Sequence, residues 1–273
     1  MPESLTFNED CMEVMRRYPD GYFGLTIADP PYGISITARH PASAPRSGAD
    51  THTHTHTHTH THSAALVGGA GRPFGGMRKL REWEPPDTGD SANPRAGKKL
   101  FVPSKFYPVF DDSSPPDADV FRELERVSKK LIIWGGNFFL DKLSPANCMI
   151  VWDKKRRGLD QADCEIAWTN LKGQSRIFEY KWNGMLQEDM KHKEKRIHAC
   201  QKPVALYCWL IQNYAEPGEK IFDPYLGSGS SRIAAYEMGH PFIGCEINKV
   251  YFDLQERRFE DYTAQGNLFL LKD

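Results

Sequence analysis

The sequence predicts an α/β fold, a mostly parallel sheet flanked by helices, and three observations support this. Apolar, β-prone runs alternate with amphipathic stretches of helical length. Two of these runs stop at an aspartate followed by proline, at Asp29 and at Asp223. After Asp223 come a glycine-rich turn, a helix, a strand and then Glu246, which is the order of a nucleoside-binding βαβ unit.

Each element is predicted by its own local pattern. The strand at 24–28 is an apolar run that must end at Asp29, because the two prolines that follow cannot continue a central strand. A helix at 117–130 has apolar residues on one face and two prolines just before it. The remaining elements, predicted on the same grounds, are a turn and helix at 7–18, strands at 131–134, 149–152, 165–168, 220–222 and 242–245, and helices at 202–215 and 231–238.

The chain length of 273 residues favours a single domain over 1–273. Residues 37–98 are poor in large apolar side chains and contain a strict Thr-His alternation, so they predict a low-complexity, mobile insertion within that domain. Extended backbone would place the histidines of the repeat on one face, but a flexible repeat lacks the fixed geometry of a metal site. We therefore expect no functional metal.

Charge and cysteine content limit the class of protein. The net charge of -1 gives no overall basic signal for nucleic acid, so phosphate contacts would have to come from local patches. Basic and aromatic residues concentrate in the segment 169–198, a short candidate target-recognition segment, and in the run 154–157. The six cysteines contain no CxxC pair, and no leader or bilayer-length apolar run is seen, so we expect a soluble, cytoplasmic protein with reduced thiols.

The second aspartate opens a turn suited to a small cofactor. Its glycines permit a tight bend and leave room for a ligand against the main chain, and the following helix offers unpaired N–H groups. Glu246 is placed to accept hydrogen bonds from ribose hydroxyls. The three-glycine dinucleotide fingerprint and the Lys-Ser/Thr pair of a phosphate loop are both missing, which favours a single nucleoside without a pyrophosphate. For the glycine turn taken alone, an ordinary β-turn is the alternative. The turn comprises Asp223, Pro224, Tyr225, Leu226, Gly227, Ser228 and Gly229.

The first aspartate opens the tetrad Asp29-Pro30-Pro31-Tyr32. A carboxylate and a proline-fixed carbonyl can hold an exocyclic amine, and an aromatic ring can stack on the base that carries it. The same four residues could equally form an ordinary strand-terminating turn.

Together the two motifs resemble the β class of amino-methylating DNA methyltransferases, over about residues 5–35 and 105–260. In this permuted group the catalytic tetrad precedes the cofactor motif. The resemblance implies a Rossmann-like methyltransferase fold with circularly permuted motif order, S-adenosylmethionine as cofactor and DNA as partner. It assigns catalysis to the tetrad from Asp29 to Tyr32, the cofactor loop to residues 223–229 and ribose binding to Glu246.

Three further segments extend this resemblance. Residues 198–203 are similar to the family's His-x-x-Gln-Lys-Pro segment, which implies a place for Lys202 in the cofactor pocket. Asn8-Glu9-Asp10-Cys11 is similar to its N-terminal element, in which Asp10 would meet the cofactor adenine, with Cys11 beside it. Trp134-Gly135-Gly136-Asn137 resembles a segment that lines the same cleft, which implies cofactor contact for Asn137.

The resemblance implies methyl transfer to the N6 amine of adenine in DNA. Aspartate in the first tetrad position is more typical of adenine enzymes than of N4-cytosine enzymes, which remain the nearest alternative. An RNA or protein amine methyltransferase and a non-catalytic nucleoside-binding module are the other candidates. The target sequence, the oligomeric state (a homodimer among the options) and the existence of a partner nuclease stay open.

Overall fold

The computed structural model describes residues 2–34, 107, 111–158, 162–183 and 186–270. Ten β-strands form the framework of this part of the chain. The predicted insertion at 37–98 lies outside these residues, so it and the single-domain prediction stay predictions. All described residues belong to one compact unit. The strands are β1 (Ser4–Phe7), β2 (Phe23–Ala28), β3 (Ser128–Trp134), β4 (Met149–Asp153), β5 (Cys164–Thr169), β6 (Arg176–Glu179), β7 (Trp182–Asn183), β8 (Leu186–Gln187), β9 (Ile221–Asp223) and β10 (Phe242–Cys245).

Five α-helices accompany them. These are α1 (Cys11–Met15), α2 (Ala118–Val127), α3 (Val204–Tyr214), α4 (Ser230–Glu237) and α5 (Lys249–Leu270), and a short 3-10 helix covers Gly136–Phe138. Among the described residues, no helix has both the length and the apolar character required to span a bilayer.

The main sheet has eight strands in the order β1-β10-β9-β2-β3-β5-β4-β6. Every neighbouring pair is parallel except the two that involve β5, which runs antiparallel to both β3 and β4. Strands β7 and β8 form a separate hairpin. The predicted α/β class with a mostly parallel sheet is thus confirmed.

Side-chain alternation on the central strands explains why both faces of the sheet are covered. On β3, Ile132 and Trp134 belong to one hydrophobic cluster, whereas Leu131 and Ile133 belong to the other. The first cluster also takes residues from α3 and α4, and the second takes them from α1 and α2. Strands that are buried on both faces have nearly continuous apolar sequences, as β2 and β3 do.

The predicted helix at 117–130 ends earlier than expected. Helix α2 stops at Val127, and Ser128 already pairs with Phe23 as the first residue of β3. The Ser128 hydroxyl donates to Thr26 Oγ1 at 2.6 Å across this pair of strands. Pairing with β2 therefore overrides the helical pattern of residues 128–130.

The topology brings the motifs to one edge of the sheet. Parallel pairing links β1 to β10, β10 to β9 and β9 to β2, so the carboxyl ends of all four strands meet at this edge. Asp29 follows β2, Asp223 ends β9 and Glu246 follows β10. The two motifs, nearly two hundred residues apart in sequence, thus follow adjacent strands.

Candidate active site

The tetrad is held in place by hydrogen bonds to Asp29. The Tyr32 hydroxyl donates to Asp29 Oδ1 at 2.8 Å, and Lys202 Nζ lies 2.5 Å from Asp29 Oδ2. Both carboxylate oxygens therefore accept from a neighbouring side chain. Asp29 retains some exposure, with 18 % of its side chain accessible.

The Tyr32 ring is packed on more than one side. Phe138 stacks on it at 4.9 Å between centroids with a 16° interplanar angle, and Phe139 meets it edge-on at 6.1 Å. Gly135 approaches so closely that an added Cβ would lie 2.3 Å from the ring. Burial raises the Tyr32 pKa well above its ordinary value, so the hydroxyl remains a neutral donor.

Lys202 lies against the tetrad and connects it to two further charged residues. Its ammonium is 3.1 Å from Glu165 Oε2, and Lys154 binds the other oxygen of Glu165. Burial alone would lower the Lys202 pKa, but the carboxylates of Asp29 and Glu165 outweigh it and raise that pKa. Burial opposes ionisation of Glu165 as well, yet Lys202 and Lys154 lower its pKa to about 2.

The glycine turn joins β9 to α4 and is closed by Glu246. Gly227 and Gly229 have φ values of +50° and +71°, a region that favours glycine. The Gly227 N–H donates to Glu246 Oε2 at 2.9 Å, and the Asn248 N–H donates to Oε1 at 2.8 Å. Burial raises the Glu246 pKa, which these two backbone donors partly offset.

Asp223 is buried at the start of the turn. Its Oδ1 accepts from the Tyr225 N–H at 2.9 Å, and its Oδ2 accepts from the Ser231 hydroxyl. Burial raises the Asp223 pKa to about 7, although both hydrogen bonds act in the opposite direction. Ser228, also buried, bonds to Ser230 at 3.1 Å within the same turn.

A pocket opens beside this turn. Asp10, at its wall, caps α1 by accepting from the Met12 N–H at 2.8 Å. The Cys11 thiol lies 3.7 Å from the Tyr225 hydroxyl, and burial raises the Cys11 pKa to about 11. The pocket is lined by Glu9, Asp10, Cys11, Pro224, Tyr225, Glu246 and Ile247.

Six of the residues expected at the cofactor do not line this pocket, namely Asn137, Lys202, Asp223, Gly227, Ser228 and Gly229. Lys202 binds Asp29 instead, and Asn137 is exposed on the 3-10 helix, next to the Phe138 that stacks on Tyr32. Conversely, sequence reasoning did not single out Glu165 or Phe138. No local motif marks Glu165, because its position beside Lys202 depends on the antiparallel pairing of β5 with β3 and β4.

The sequence led us to expect no functional metal in any part of the chain. Within the described ranges, no group of three or more His, Cys, Asp or Glu side chains is arranged to hold a metal ion. The Thr-His repeat lies outside those ranges. Of the basic run 154–157, Lys154 is buried in the network described above and is not an exposed phosphate ligand.

Comparison with known proteins finds a family match over part of the chain. A sequence model described as DNA methylase, for the N6/N4 methyltransferases, matches residues 129–257, slightly less than half of the chain. The match includes the Lys202 segment, the glycine turn and Glu246, and the predicted family resemblance is thus confirmed.

Curated relatives of the chain match over shorter segments. It is 30 % identical to "Type II methyltransferase M.HinfI" of Haemophilus influenzae over 82 residues, 30 % of this chain and 23 % of that protein. It is also 30 % identical to "Type II methyltransferase M.MthZI" of Methanothermobacter thermautotrophicus over 105 residues, 38 % of this chain and 26 % of that protein. The matches thus span about a quarter of the length of these relatives.

Among solved structures, the "PvuII DNA methyltransferase (cytosine-N4-specific)" superposes with a TM-score of 0.50. The superposition covers 94 % of this chain and 86 % of that one, at 12 % sequence identity. At that identity the likeness shows a shared methyltransferase fold.

Proposed function

We propose that this protein transfers a methyl group from S-adenosylmethionine to the N6 amine of adenine in DNA. The observation that carries the proposal is the position of Asp29 and Tyr32. They lie at the end of β2, on the strand next to the one that carries the glycine turn. An amine acceptor and a nucleoside pocket on neighbouring strands are what amine methylation requires.

The pocket beside the glycine turn is the proposed cofactor site. Asp10 and Glu246 supply carboxylates at its wall, while Cys11, Pro224 and Ile247 supply small or apolar surface. This combination suits an adenosine, whose ring is apolar on its faces and whose ribose and amino groups need acceptors. S-adenosylmethionine supplies an activated methyl group when bound, so the protein mainly binds and orients.

The tetrad is the proposed base site. An adenine flipped out of the duplex would present its amine to the Asp29 carboxylate and the Pro30 carbonyl, and its ring to Tyr32. The two prolines hold the carbonyl rigidly, so little reorganisation is needed when charge develops on the amine. Aspartate in the first tetrad position supports adenine over cytosine.

The experiment is methyl transfer from labelled S-adenosylmethionine to unmethylated genomic DNA, RNA and protein, followed by identification of the modified nucleoside or amino acid. We expect label in N6-methyladenine of DNA. Label in N4-methylcytosine would contradict the choice of base, and label only in RNA or protein would contradict DNA as substrate. Cofactor binding without any transfer would favour the non-catalytic alternative.

Asp29→Ala tests the role of the tetrad. Loss of the carboxylate removes the amine acceptor, so we expect transfer to fall by at least about 10³-fold while S-adenosylmethionine binding, measured by calorimetry, changes little. Asp20→Ala is the matched control, because Asp20 is an exposed carboxylate before the other end of the same strand. Equal loss of binding and transfer in Asp29→Ala would contradict the assignment.

A further inference from the structure

Four charged side chains of alternating sign run inward from the tetrad. We call Asp29, Lys202, Glu165 and Lys154 the charge ladder. Lys202 Nζ lies 2.5 Å from Asp29 and 3.1 Å from Glu165, and Lys154 pairs with the far side of Glu165. Only 4 % of the Lys202 side chain is accessible.

The surroundings of Lys202 argue against a purely structural role for its buried charge. Its ammonium lies 5.5 Å from the centroid of the Trp134 ring and 5.9 Å from that of Tyr32, in a largely aromatic wall. Buried ion pairs are often no more stabilising than apolar residues of similar volume. The outer end of the charge ladder is Asp29, the proposed amine acceptor, and this position indicates a role in the reaction.

We infer that Lys202 is a positioning residue that fixes the orientation of the Asp29 carboxylate, and that Glu165 holds Lys202 in place for this purpose. The inference rests on the proposed function. Asp29 accepts from Tyr32 on one oxygen and from Lys202 on the other, and each oxygen keeps a lone pair for an incoming N–H. Asp29 then acts as a hydrogen-bond acceptor, and the proton that the methylated amine loses goes to water.

The test is single-turnover methyl transfer to unmethylated genomic DNA, measured beside the affinity for S-adenosylmethionine. Lys202→Met removes the contact that orients the Asp29 carboxylate, so we expect the rate to fall by about 10²-fold. Glu165→Gln removes the carboxylate that holds Lys202, so its rate should fall as well, by a smaller factor. Affinity for S-adenosylmethionine should stay within about twofold in both variants, since neither residue lines the cofactor pocket.

Two variants serve as controls. Lys154→Met removes a buried lysine that touches Glu165 but not Asp29, so its rate should fall less than that of Glu165→Gln. Lys202→Arg retains a charged donor to Asp29 and should restore most of the rate that Lys202→Met loses. Glu165→Gln is nearly isosteric, so it tests the inference if Lys202→Met fails to fold.

Several results would overturn the inference. These are a wild-type rate in Lys202→Met, a loss of S-adenosylmethionine affinity in that variant as large as its loss of rate, or a Lys154→Met rate as low as that of Lys202→Met. Failure of the proposed function gives a different result, because the wild-type protein would then not methylate the DNA at all. An active wild type with unchanged variants leaves the proposed function intact and removes only the role of Lys202.

Discussion

Gly135 has a left-handed backbone, with φ of +69°, at its contact with the Tyr32 ring. In Gly135→Ala the new Cβ would meet that ring at 2.3 Å, so the ring must move away from its position beside Asp29. Because a misplacement of about 1 Å can reduce catalysis by about 10²-fold, we expect a loss of that order in methyl transfer. Single-turnover kinetics measure it.

Gly239→Ala separates the clash from the backbone strain. Gly239 has a similar φ of +74°, but an added Cβ there meets nothing within 4 Å. Both variants should lose about 1 to 2 kcal/mol of unfolding free energy from the left-handed alanine. Only Gly135→Ala should also lose activity per folded molecule, and equal kinetics in the two variants would refute a role for the ring position.

Glu246 should make cofactor binding depend on pH. Its carboxylate must be ionised to accept from ribose hydroxyls, and burial holds its pKa above the ordinary value. Affinity for S-adenosylmethionine should therefore weaken as the pH falls through this raised pKa. Calorimetry over the acid range should show this limb in the wild type and not in Glu246→Gln. Asp223 is present in both proteins, so the difference between the profiles isolates Glu246.

At the level of elements, what could be predicted from the sequence depended on local pattern. Strands β2, β9 and β10 and helix α4 were predicted to within a residue or two, because each has an apolar run bounded by a turn signal. Strands β1, β6, β7 and β8 were not predicted. They have at most four residues each, and pairing with a partner strand, which local sequence does not encode, stabilises them.

In the candidate site, too, local sequence patterns predicted some of the residues, whereas other contacts depend on the fold. The tetrad and the glycine turn are each contiguous in sequence, and Glu246 follows the turn within one βαβ unit. Sequence pattern alone therefore predicted all three. The contact of Lys202 with Asp29, and the role of Glu165 beneath it, follow from how β5 packs beside β3. Such contacts are tertiary, and no spacing along the chain specifies them.

The glycine turn carries a stability penalty that depends on pH. Asp223 has a folded-state pKa of about 7, above the unfolded value near 3.8, so its stabilising contribution is complete below the unfolded pKa and is lost as the pH rises towards 7. Asp223→Asn removes this titration. We expect the unfolding free energy of the variant, relative to the wild type, to increase between about pH 4 and pH 7.

Urea denaturation at several pH values measures this difference. A constant difference across the range would contradict the assignment of the raised pKa to Asp223. A more stable variant with weaker cofactor binding would fit the common trade-off between stability and activity in functional sites.

For the whole molecule, the net charge of -1 means that the DNA of the proposed reaction would have to be attracted by a local surface. The segment 186–196 presents exposed lysines at three alternate positions, Lys191, Lys193 and Lys195. Replacing all three by alanine should weaken DNA binding to a similar degree for all sequences. The slope of log K against log salt should fall by up to about 2.7, or 0.9 for each phosphate contact.

The control removes three positive charges elsewhere. Arg16 directly after α1, Arg122 on α2 and Lys129 on β3 are exposed and lie outside this segment of the sequence. Their triple alanine variant has the same net charge as the lysine variant. If it lowered the salt slope equally, as measured by fluorescence anisotropy, overall charge and not the segment 186–196 would attract the DNA.

The pairing of β1 with β10 also has a consequence for the order of events during protein synthesis. Phe7 lies opposite Cys245, so β1, the first strand of the described residues, pairs with β10, the last of them. At about 5 to 20 residues per second, β1 waits roughly 10 to 50 s on the ribosome before β10 is synthesised. Asp10 and Cys11 therefore meet Tyr225 and Glu246 only after β10 has been made, and a nascent chain that stops before β9 has the tetrad without the pocket.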